Sequence, residues 1–557
     1  MKRLWVVARF GIGVGWVMGL SMSPVAAGNL FTDVSPSSGI FQTPATHDFW
    51  LASVASADFD GDGDLDLVVF GLNVEYNVSA SDELRLLRND GIDVDGRQIL
   101  TEVAVPSGGL FGPDTHLSAA DYDQDGDPDL LVASGGTTVL FRNDAGVLLQ
   151  TDTQLPGYLE DSGFDSAYDL RAISWGDVDN DGDLDIIIPT VDTGGGLLQL
   201  EPRWLRNDGA GNGNAWTFTE QALHSGNVSN AQTRLADVDG DGDLDLWEVD
   251  VDNTLDTGFV RRFDNQNGQF SLARDLDISP LRGSADWADV DADGDLDVLV
   301  AGSFLDGNGN IVNGLRLYLD NGVSFDPVDL PVPAPNWLDV LACSWADYDG
   351  DGDVDLLVTG SFVGDEEIEG EARVYLNDGT GIFDVMPQAL PAPVSSIGRG
   401  GAFLWVDIDG DADLDYLASG AFYVPNGNGL VEARTFLMRN PGGNGNQAPA
   451  MPQATVSILG QDGLQLSWTP PPDDSTPAAA LTFELQLLPM SASSTQVASI
   501  SQPGTLGQVL QWQFNGLSPG QYRWRLQALD RAHAASPAAE GTVQLGNADA
   551  VFGNGFE

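Results

Sequence analysis

The sequence predicts an all-β chain, a seven-bladed β-propeller followed by a β-sandwich, and three observations carry that prediction. An acidic nine-residue loop recurs seven times, its starts 52 to 63 residues apart. Short runs beside each loop alternate apolar and other residues, as at Leu65, Leu67 and Val69, which is the period of a strand and not of a helix. Beyond the last loop the acidic pattern ends in an Asn/Gly/Pro-rich stretch, Asn440 to Pro452, and a further series of alternating runs begins.

The loops come first because they fix the candidate site. Their acids are Asp58, Asp60, Asp62, Asp64 and Asp66; Asp121, Asp123, Asp125, Asp127 and Asp129; Asp177, Asp179, Asp181, Asp183 and Asp185; Asp237, Asp239, Asp241, Asp243 and Asp245; Asp289, Asp291, Asp293, Asp295 and Asp297; Asp347, Asp349, Asp351, Asp353 and Asp355; and Asp407, Asp409, Asp411, Asp413 and Asp415. In each loop the carboxylates at positions 1, 3, 5 and 9 can converge while the carbonyl at position 7 adds a fifth oxygen. A hard, oxygen-only donor set of this kind suits Ca2+, whereas zinc would call for histidine or cysteine. Up to seven calcium ions are therefore expected. Glycine at position 6 permits the tight turn, and Ala412 replaces it in the seventh loop, which is expected to be strained, weak or empty. The spacing matches the start of an EF-hand loop, but the twelfth-position glutamate and the flanking helices are missing.

Each period then supplies four strands. One leads into the loop, one leaves it, one ends in an Asn/Asp/Gly turn as in Leu84 to Gly91 or Val374 to Gly379, and one starts near an aromatic such as Phe218, Phe270, Phe325 or Phe383. Four-stranded antiparallel sheets repeated seven times suit a propeller. The last period lacks its aromatic strand, and Leu30 to Val34 precedes the first loop, so the N-terminal segment is expected to complete the seventh blade and close the ring.

With these loops on view, residues 30 to 445 resemble the FG-GAP/VCBS repeat family, which includes integrin alpha-subunit propellers. The resemblance implies calcium held by side chains matching Asp58, Asp60, Asp62 and Asp66 with the carbonyl of Asp64, and likewise in the other loops. Phe-Gly and Gly-Ala-Pro elements are sparse, which places the chain nearer to bacterial VCBS-type repeats. Residues Ala454 to Leu545 resemble a fibronectin type III domain, through Leu466-Ser467-Trp468-Thr469-Pro470-Pro471 and Leu517 to Arg525, with Trp468 and Tyr522 as packing residues. These marks divide the chain into a signal peptide at 1–27, the propeller at 28–445, a linker at 446–453, the fibronectin type III-like domain at 454–545 and a tail at 546–557.

Met1-Lys2-Arg3, an apolar run from Phe10 to Met22, and Val25-Ala26-Ala27 have the three parts of a secretory signal. No later segment is apolar enough to span a bilayer. The net charge is -61, and loss of Lys2, Arg3 and Arg9 with the signal takes it to -64. Nucleic acid and anionic membranes are thereby poor partners, since phosphate contacts need positive charge. The lone Cys343 excludes an internal disulfide and is expected to be a buried small hydrophobe.

His47, His116, His224 and His533 form no zinc pattern, and no nucleophile motif accompanies them. The expectation is a secreted scaffold that binds an extracellular protein or glycan, through the variable stretches Leu72 to Glu83, Val191 to Glu201, Ser303 to Gly314 and Ala421 to Leu430. A calcium-dependent polysaccharide lyase or hydrolase and a purely structural envelope protein are the alternatives. Trp175, Trp287, Trp345 and Trp405, each two residues ahead of a loop, are expected to pack between blades.

Overall fold

The computed structural model describes residues 32–33 and most of 47–546; the rest of the N-terminal region, 547–557, and loop segments such as 156–172 and 491–509 lie outside the described residues. The expected signal peptide and nearly all of the expected tail fall in that excluded part. Among the described residues every regular element is a β-strand.

Seven small antiparallel sheets, of the kind typical of propeller blades, account for residues up to 439. Sheet 1 contains His47–Ala57, Asp66–Glu75, Ser79–Ile92 and Gln98–Ala104; sheet 2 contains Thr115–Ala120, Asp129–Ser134, Thr137–Asn143 and Leu148–Gln150. Sheet 3 comprises Ser174–Gly176, Asp185–Asp192, Gln199–Ala210 and Trp216–Ala222, and sheet 4 comprises Ala231–Ala236, Asp245–Asp250, Gly258–Asn265 and Phe270–Ile278. Pro280–Ala288, Asp297–Leu305, Ile311–Asp320 and Phe325–Leu330 form sheet 5. In sheet 6, Trp337–Ala346, Asp355–Val363, Ile368–Asn377 and Phe383–Val385 are joined by the short Leu390–Pro391. Sheet 7 has Ala402–Val406, Asp415–Tyr423 and Val431–Arg439, and takes Thr32–Asp33 as its fourth strand, with Thr32 opposite Arg439 and Asp33 opposite Met438.

The strand after each acidic loop is apolar at consecutive positions because both of its faces are covered. In sheet 1, Leu67, Val68, Val69 and Phe70 are all at most 1% exposed. Alternation assigns them to opposite faces: Val68 and Phe70 share a core with Leu130 and Val132 of sheet 2, while Leu67 and Val69 share one with Leu417 and Leu437 of sheet 7. Similar cores join sheets 2 and 3, 3 and 4, 4 and 5, 5 and 6, and 6 and 7. The apolar contacts thus run in a closed cycle. Trp287, Trp345 and Trp405 are buried in the cores between sheets 4 and 5, 5 and 6, and 6 and 7. The half-buried Trp175 donates its indole N–H to Ser118 Oγ of sheet 2 at 3.1 Å. Cys343 is fully buried, its Sγ 3.8 Å from Ser284 Oγ of the preceding sheet.

The stretches expected to project as variable loops are in large part strand. Leu72 pairs with Asp82, Ser303 with Asn313 and Ala421 with Ala433, so the hairpin between second and third strands is longer than expected. Extending the ladder satisfies backbone donors and acceptors that a loop would leave to water. The hairpin tips at 76–78, 193–198 and 424–430 lie outside the described residues.

Among the described residues the C-terminal unit has two three-stranded sheets. Gln453–Leu459, Gly463–Thr469 and Gln511–Phe514 form one, and Thr482–Pro489, Gln521–Leu529 and Ala539–Gln544 the other. Trp468, Phe483, Trp512 and Leu526 fill the space between them, with the Trp468 and Phe483 rings 5.5 Å apart. The same core takes in Val178, Leu235 and Leu244 beside sheets 3 and 4.

Candidate metal centre

Each acidic loop turns the chain from the first to the second strand of its sheet and is curled by its own carboxylates. In the first, Asp58 Oδ1 accepts from the N–H of Gly61 at 2.8 Å and of Asp62 at 3.1 Å, and Oδ2 from Gly63 at 3.1 Å. Aspartate favours such turns because its short side chain bonds the backbone just ahead of it. The position-1 to position-6 bond recurs at Gly126, Gly182, Gly242, Gly352 and Ala412, at 2.9 to 3.0 Å. At position 6 the described glycines have φ of 94° to 103°, while Ala412 sits at 70°. The alanine therefore occupies a left-handed conformation that its Cβ disfavours, as expected, and its loop has kept the same hydrogen bond.

Position 9 is the anchor. Asp66 is fully buried; its Oδ2 accepts from the N–H of Phe59 at 2.9 Å and its Oδ1 from that of Asn89 at 2.7 Å, at the end of the third strand. Asp129, Asp185, Asp245, Asp297, Asp355 and Asp415 make the same two bonds in their own sheets. At position 7 the side chain is engaged elsewhere: Asp127 and Asp243 accept from the N–H of Ala145 and Asn267 in the neighbouring hairpin turn, at 3.0 and 2.8 Å.

The other positions converge. Three carboxylate groups bring ligand atoms within 4.8 Å of one another in each of Asp58/Asp60/Asp62, Asp121/Asp123/Asp129, Asp177/Asp179/Asp181, Asp237/Asp239/Asp245 and Asp289/Asp291/Asp297. Among them, Oδ1 of Asp123, Asp179 and Asp291 is buried and makes no hydrogen bond. A buried carboxylate oxygen without a donor is costly, and adjacent carboxylates add repulsion. An all-oxygen cage with spare lone pairs fits a hard divalent cation.

The carboxyl acidities record the same conflict. Burial, opposed by the hydrogen bonds from Asn89, Phe59 and Asp60, raises Asp66 to about 7. Burial likewise lifts Asp245 to about 7 and Asp297 and Asp415 to about 8, with neighbouring loop aspartates adding to the rise. Asp121, Asp177, Asp129, Asp185 and Asp355 are pushed well above the usual carboxylate range, again first by burial. Bound cation would offset what burial and repulsion oppose. Sheets 1 and 7 also carry a tethered cation beside position 3: Arg88 Nε lies 3.3 Å from Asp60 Oδ2, and Arg439 pairs with Asp409.

FG-GAP-like repeats occur in this chain. The repeat profile matches residues 121–188, 289–358 and 347–418, each match starting on the first aspartate of one loop and ending in the strand beyond the next. No curated protein matches. Among solved structures, an Agrocybe aegerita lectin described as recognising non-reducing terminal N-acetylglucosamine is 17% identical, covering 65% of this chain and 89% of that one at a TM-score of 0.40. The Aleuria aurantia lectin is 12% identical over 62% of this chain and 96% of that one, TM-score 0.33. A Penicillium chrysogenum alpha-L-arabinanase is 11% identical over 72% and 98%, TM-score 0.34. Scores at this level place no ligand site on the present chain.

Two sets of residues around the loops escaped sequence reasoning. The asparagine closing the third strand was read only as a turn former. Its side chain crosses to the preceding sheet: Asn143 Nδ2 donates to Phe59 O at 2.7 Å, Asn207 to Tyr122 O at 3.1 Å, Asn265 to Val178 O at 2.8 Å, and Asn377 to Val290 O at 2.9 Å. Asn440 reaches Tyr348 O, and Asn89 reaches Ile408 O of sheet 7 at 2.9 Å, closing the cycle. In sheet 5 the position is Asp320, which has no donor to give; it pairs instead with Arg274 of sheet 4. The signal was present in the recurrence of Asn at one register. The second set is Arg531 and the position-4 amides, which belong to contacts between loops.

Proposed function

We propose that this protein is an exported, calcium-loaded, seven-bladed β-propeller joined to a fibronectin type III-like module, acting as a scaffold that recognises an extracellular protein or glycan. The observation that carries the calcium assignment is the repeated all-oxygen cage with buried carboxylate oxygens lacking donors at Asp123, Asp179 and Asp291. Calcium tolerates flexible, oxygen-only coordination, and extracellular modules operate with sites of modest affinity. In each loop the side chains at positions 1, 3, 5 and 9 and the carbonyl at position 7 would hold the ion, which supplies the positive charge that burial and repulsion demand.

The seven-blade reading is supported by seven sheets, seven intersheet cores and the Asn89 contact from sheet 1 to sheet 7. The module reading is supported by strand order, the first two described strands pairing with the fourth in one sheet and the third with the last two in the other, as in an immunoglobulin-like scheme, and by Tyr522, whose hydroxyl donates to Ser518 O at 2.8 Å in the manner of a tyrosine corner. Recognition is favoured over turnover because the repeated acid clusters serve the loops and no nucleophile motif accompanies the four histidines. Elemental analysis of the mature chain equilibrated with calcium should return about six to seven ions per chain, the seventh loop being the one expected weak or empty. Absence of bound calcium would defeat the assignment. Glycan and protein arrays then identify the partner class, and release of oligosaccharide from a polysaccharide panel would move the protein to the enzymes.

A further inference from the structure

Three loops are tied to a neighbouring loop by a side chain that spans the gap, and two of the three ties have the same form. Gln124, at position 4 of loop 2, donates its amide to Gly182 O and to Asp183 Oδ1, positions 6 and 7 of loop 3. Asn180, at position 4 of loop 3, donates to Gly242 O and Asp243 Oδ1, positions 6 and 7 of loop 4. In loop 5 position 4 is Ala292, at φ 59°, the same left-handed backbone as Gln124 at 56° and Asn180 at 60° but with no amide to send. The corresponding acceptors of loop 6, Gly352 O and Asp353 Oδ1, face Arg531 of the C-terminal unit instead: Nη1 is 3.1 Å from the first and 3.9 Å from the second. Nη2 of the same guanidinium donates to Asp289 O of loop 5 at 2.7 Å.

Arg531 is built in. Its side chain is 5% exposed, its carbonyl accepts from the N–H of Asp347 in loop 6 at 3.0 Å, and its N–H donates to Thr476 Oγ1 at 3.3 Å. The adjoining Asp530 accepts from Asn446 of the linker at 2.9 Å. Close approach extends around it. A Cβ on Gly352 would lie 2.2 Å from Ser475 O, whereas one on Gly63 or Gly242 would meet nothing within 4 Å. Loop 3 is also touched, with Asn515 N–H donating to Asn180 O at 2.7 Å.

We propose that Arg531, from the C-terminal unit of the same chain, supplies between loops 5 and 6 the tie that Ala292 has no amide to make, so that cation loading of loops 5 and 6 and docking of the C-terminal unit stabilise each other. The inference rests on the calcium reading above. The direction of coupling follows from what the guanidinium touches. Its hydrogen bonds go to backbone carbonyls, which are in place only when both loops are curled, and neither carbonyl belongs to the expected donor set. The carboxylates of Asp289 and Asp353 stand farther off, at 3.6 and 3.9 Å. Two loops carry ten aspartates, so two divalent ions leave the field at Arg531 negative. Arg531 is thus a positioning residue for the loops and a latch for the domain.

The test uses the full mature chain and calcium alone as probe. Calcium is titrated calorimetrically with the bound ions counted, and docking is read by small-angle scattering and by protease cleavage in the linker at 446–453. In Arg531→Ala, kept in calcium, the binding of one or two ions should weaken about five- to tenfold, within the usual range of coupling between sites, the particle should extend, and the linker should be cut faster. Arg525→Ala, which removes a charge paired with Glu540 inside the C-terminal unit, should change none of these. Adding Ala292→Asn to Arg531→Ala should restore calcium affinity while the domain stays released, since the new amide ties the loops but not the domain. Recovery of neither overturns the equivalence of Arg531 with the position-4 amides. If wild type binds calcium and Arg531→Ala matches it in affinity and compactness, or if calcium loosens docking, the proposal falls; if wild type binds no calcium, the earlier assignment falls instead.

Discussion

The repeat sheets and the C-terminal unit are both all-β with apolar cores, yet each repeat sheet also buries acids at its loop end. Every sheet closes around a position-9 aspartate at most 2% exposed, held by two backbone N–H groups and surrounded by further carboxylates. The C-terminal unit closes around Trp468, Phe483, Trp512 and Trp524. Its buried charged residues, Asp530 and Arg531, lie in a turn that faces the acidic loops. An apolar core needs no counter-charge, whereas a cluster of buried acids is stable only when something neutralises it. The difference teaches that the repeats fold conditionally and the appended unit does not.

Removing calcium should break this symmetry most visibly. A site present at about a hundred times its Kd contributes about 2.7 kcal/mol to the folded state, and several sites share each closed ring. Calorimetry of the full chain with excess chelator should show the repeat transition falling by about 20 °C or more, while a second transition, assigned by hydrogen exchange in the strands of the C-terminal unit, falls far less. A common downward shift of both would mean that the two regions do not differ as argued.

The pH response sharpens the same contrast. In metal-free protein, the folded-state values of about 7 for Asp66 and Asp245 and about 8 for Asp297 and Asp415 exceed the unfolded value of 3.8. The folded state then holds more protons between those limits, so the contribution is fully present below the unfolded value and is lost as pH rises through 7 to 8. Chelated protein should therefore melt higher at pH 5 than at pH 8.5. With calcium the order should reverse, because the ligands must be deprotonated to bind. Parallel pH profiles with and without metal would contradict the buried-acid account.

How far this was legible in the sequence depends on the range of each interaction. The loops bond within nine residues, so Asp58 through Asp66 carried their own geometry, and the N-terminal strand was readable because sheet 7 lacked a partner. Asn143 reaches Phe59 and Asn89 reaches Ile408, 84 and 319 residues away, and in sequence each looked like an ordinary turn residue. Arg531 was still less visible, since its acceptors are backbone carbonyls of Asp289 and Gly352, which any residue offers. The longer hairpins at 72–82 and 303–313 were hidden because polar residues on paired strands look like loop.

The seam between sheets 4 and 5 offers a smaller effect. Six seams carry an asparagine bridge, and this one carries Arg274 with the 2% exposed Asp320. Arg274→Met leaves a buried, unpaired carboxylate and should cost about 3 kcal/mol. Adding Asp320→Asn should recover most of it, because the amide can then bridge to sheet 4 as its six counterparts bridge to theirs. Chemical denaturation of the two variants reads this directly; a double mutant no better than the single one would show that the ion pair is not standing in for the amide.

The smallest effect tests whether the seventh loop is a defective copy of the other six. Ala412 holds φ at 70° where the described glycines at position 6 lie between 94° and 103°, so the alanine both strains the turn and pulls the backbone away from the shared geometry. Relief of left-handed strain is worth about 1–2 kcal/mol, and the added freedom of glycine in the unfolded chain takes back about 0.4–1 kcal/mol. Relief wins narrowly. Ala412→Gly should therefore raise stability by about 0.5–1 kcal/mol and tighten the weakest calcium site, whereas Gly63→Ala in the open first loop should do the reverse in both. If Ala412→Gly destabilises the chain and leaves the calcium isotherm unchanged, the alanine is compatible with its loop and the seventh site is as sound as the first.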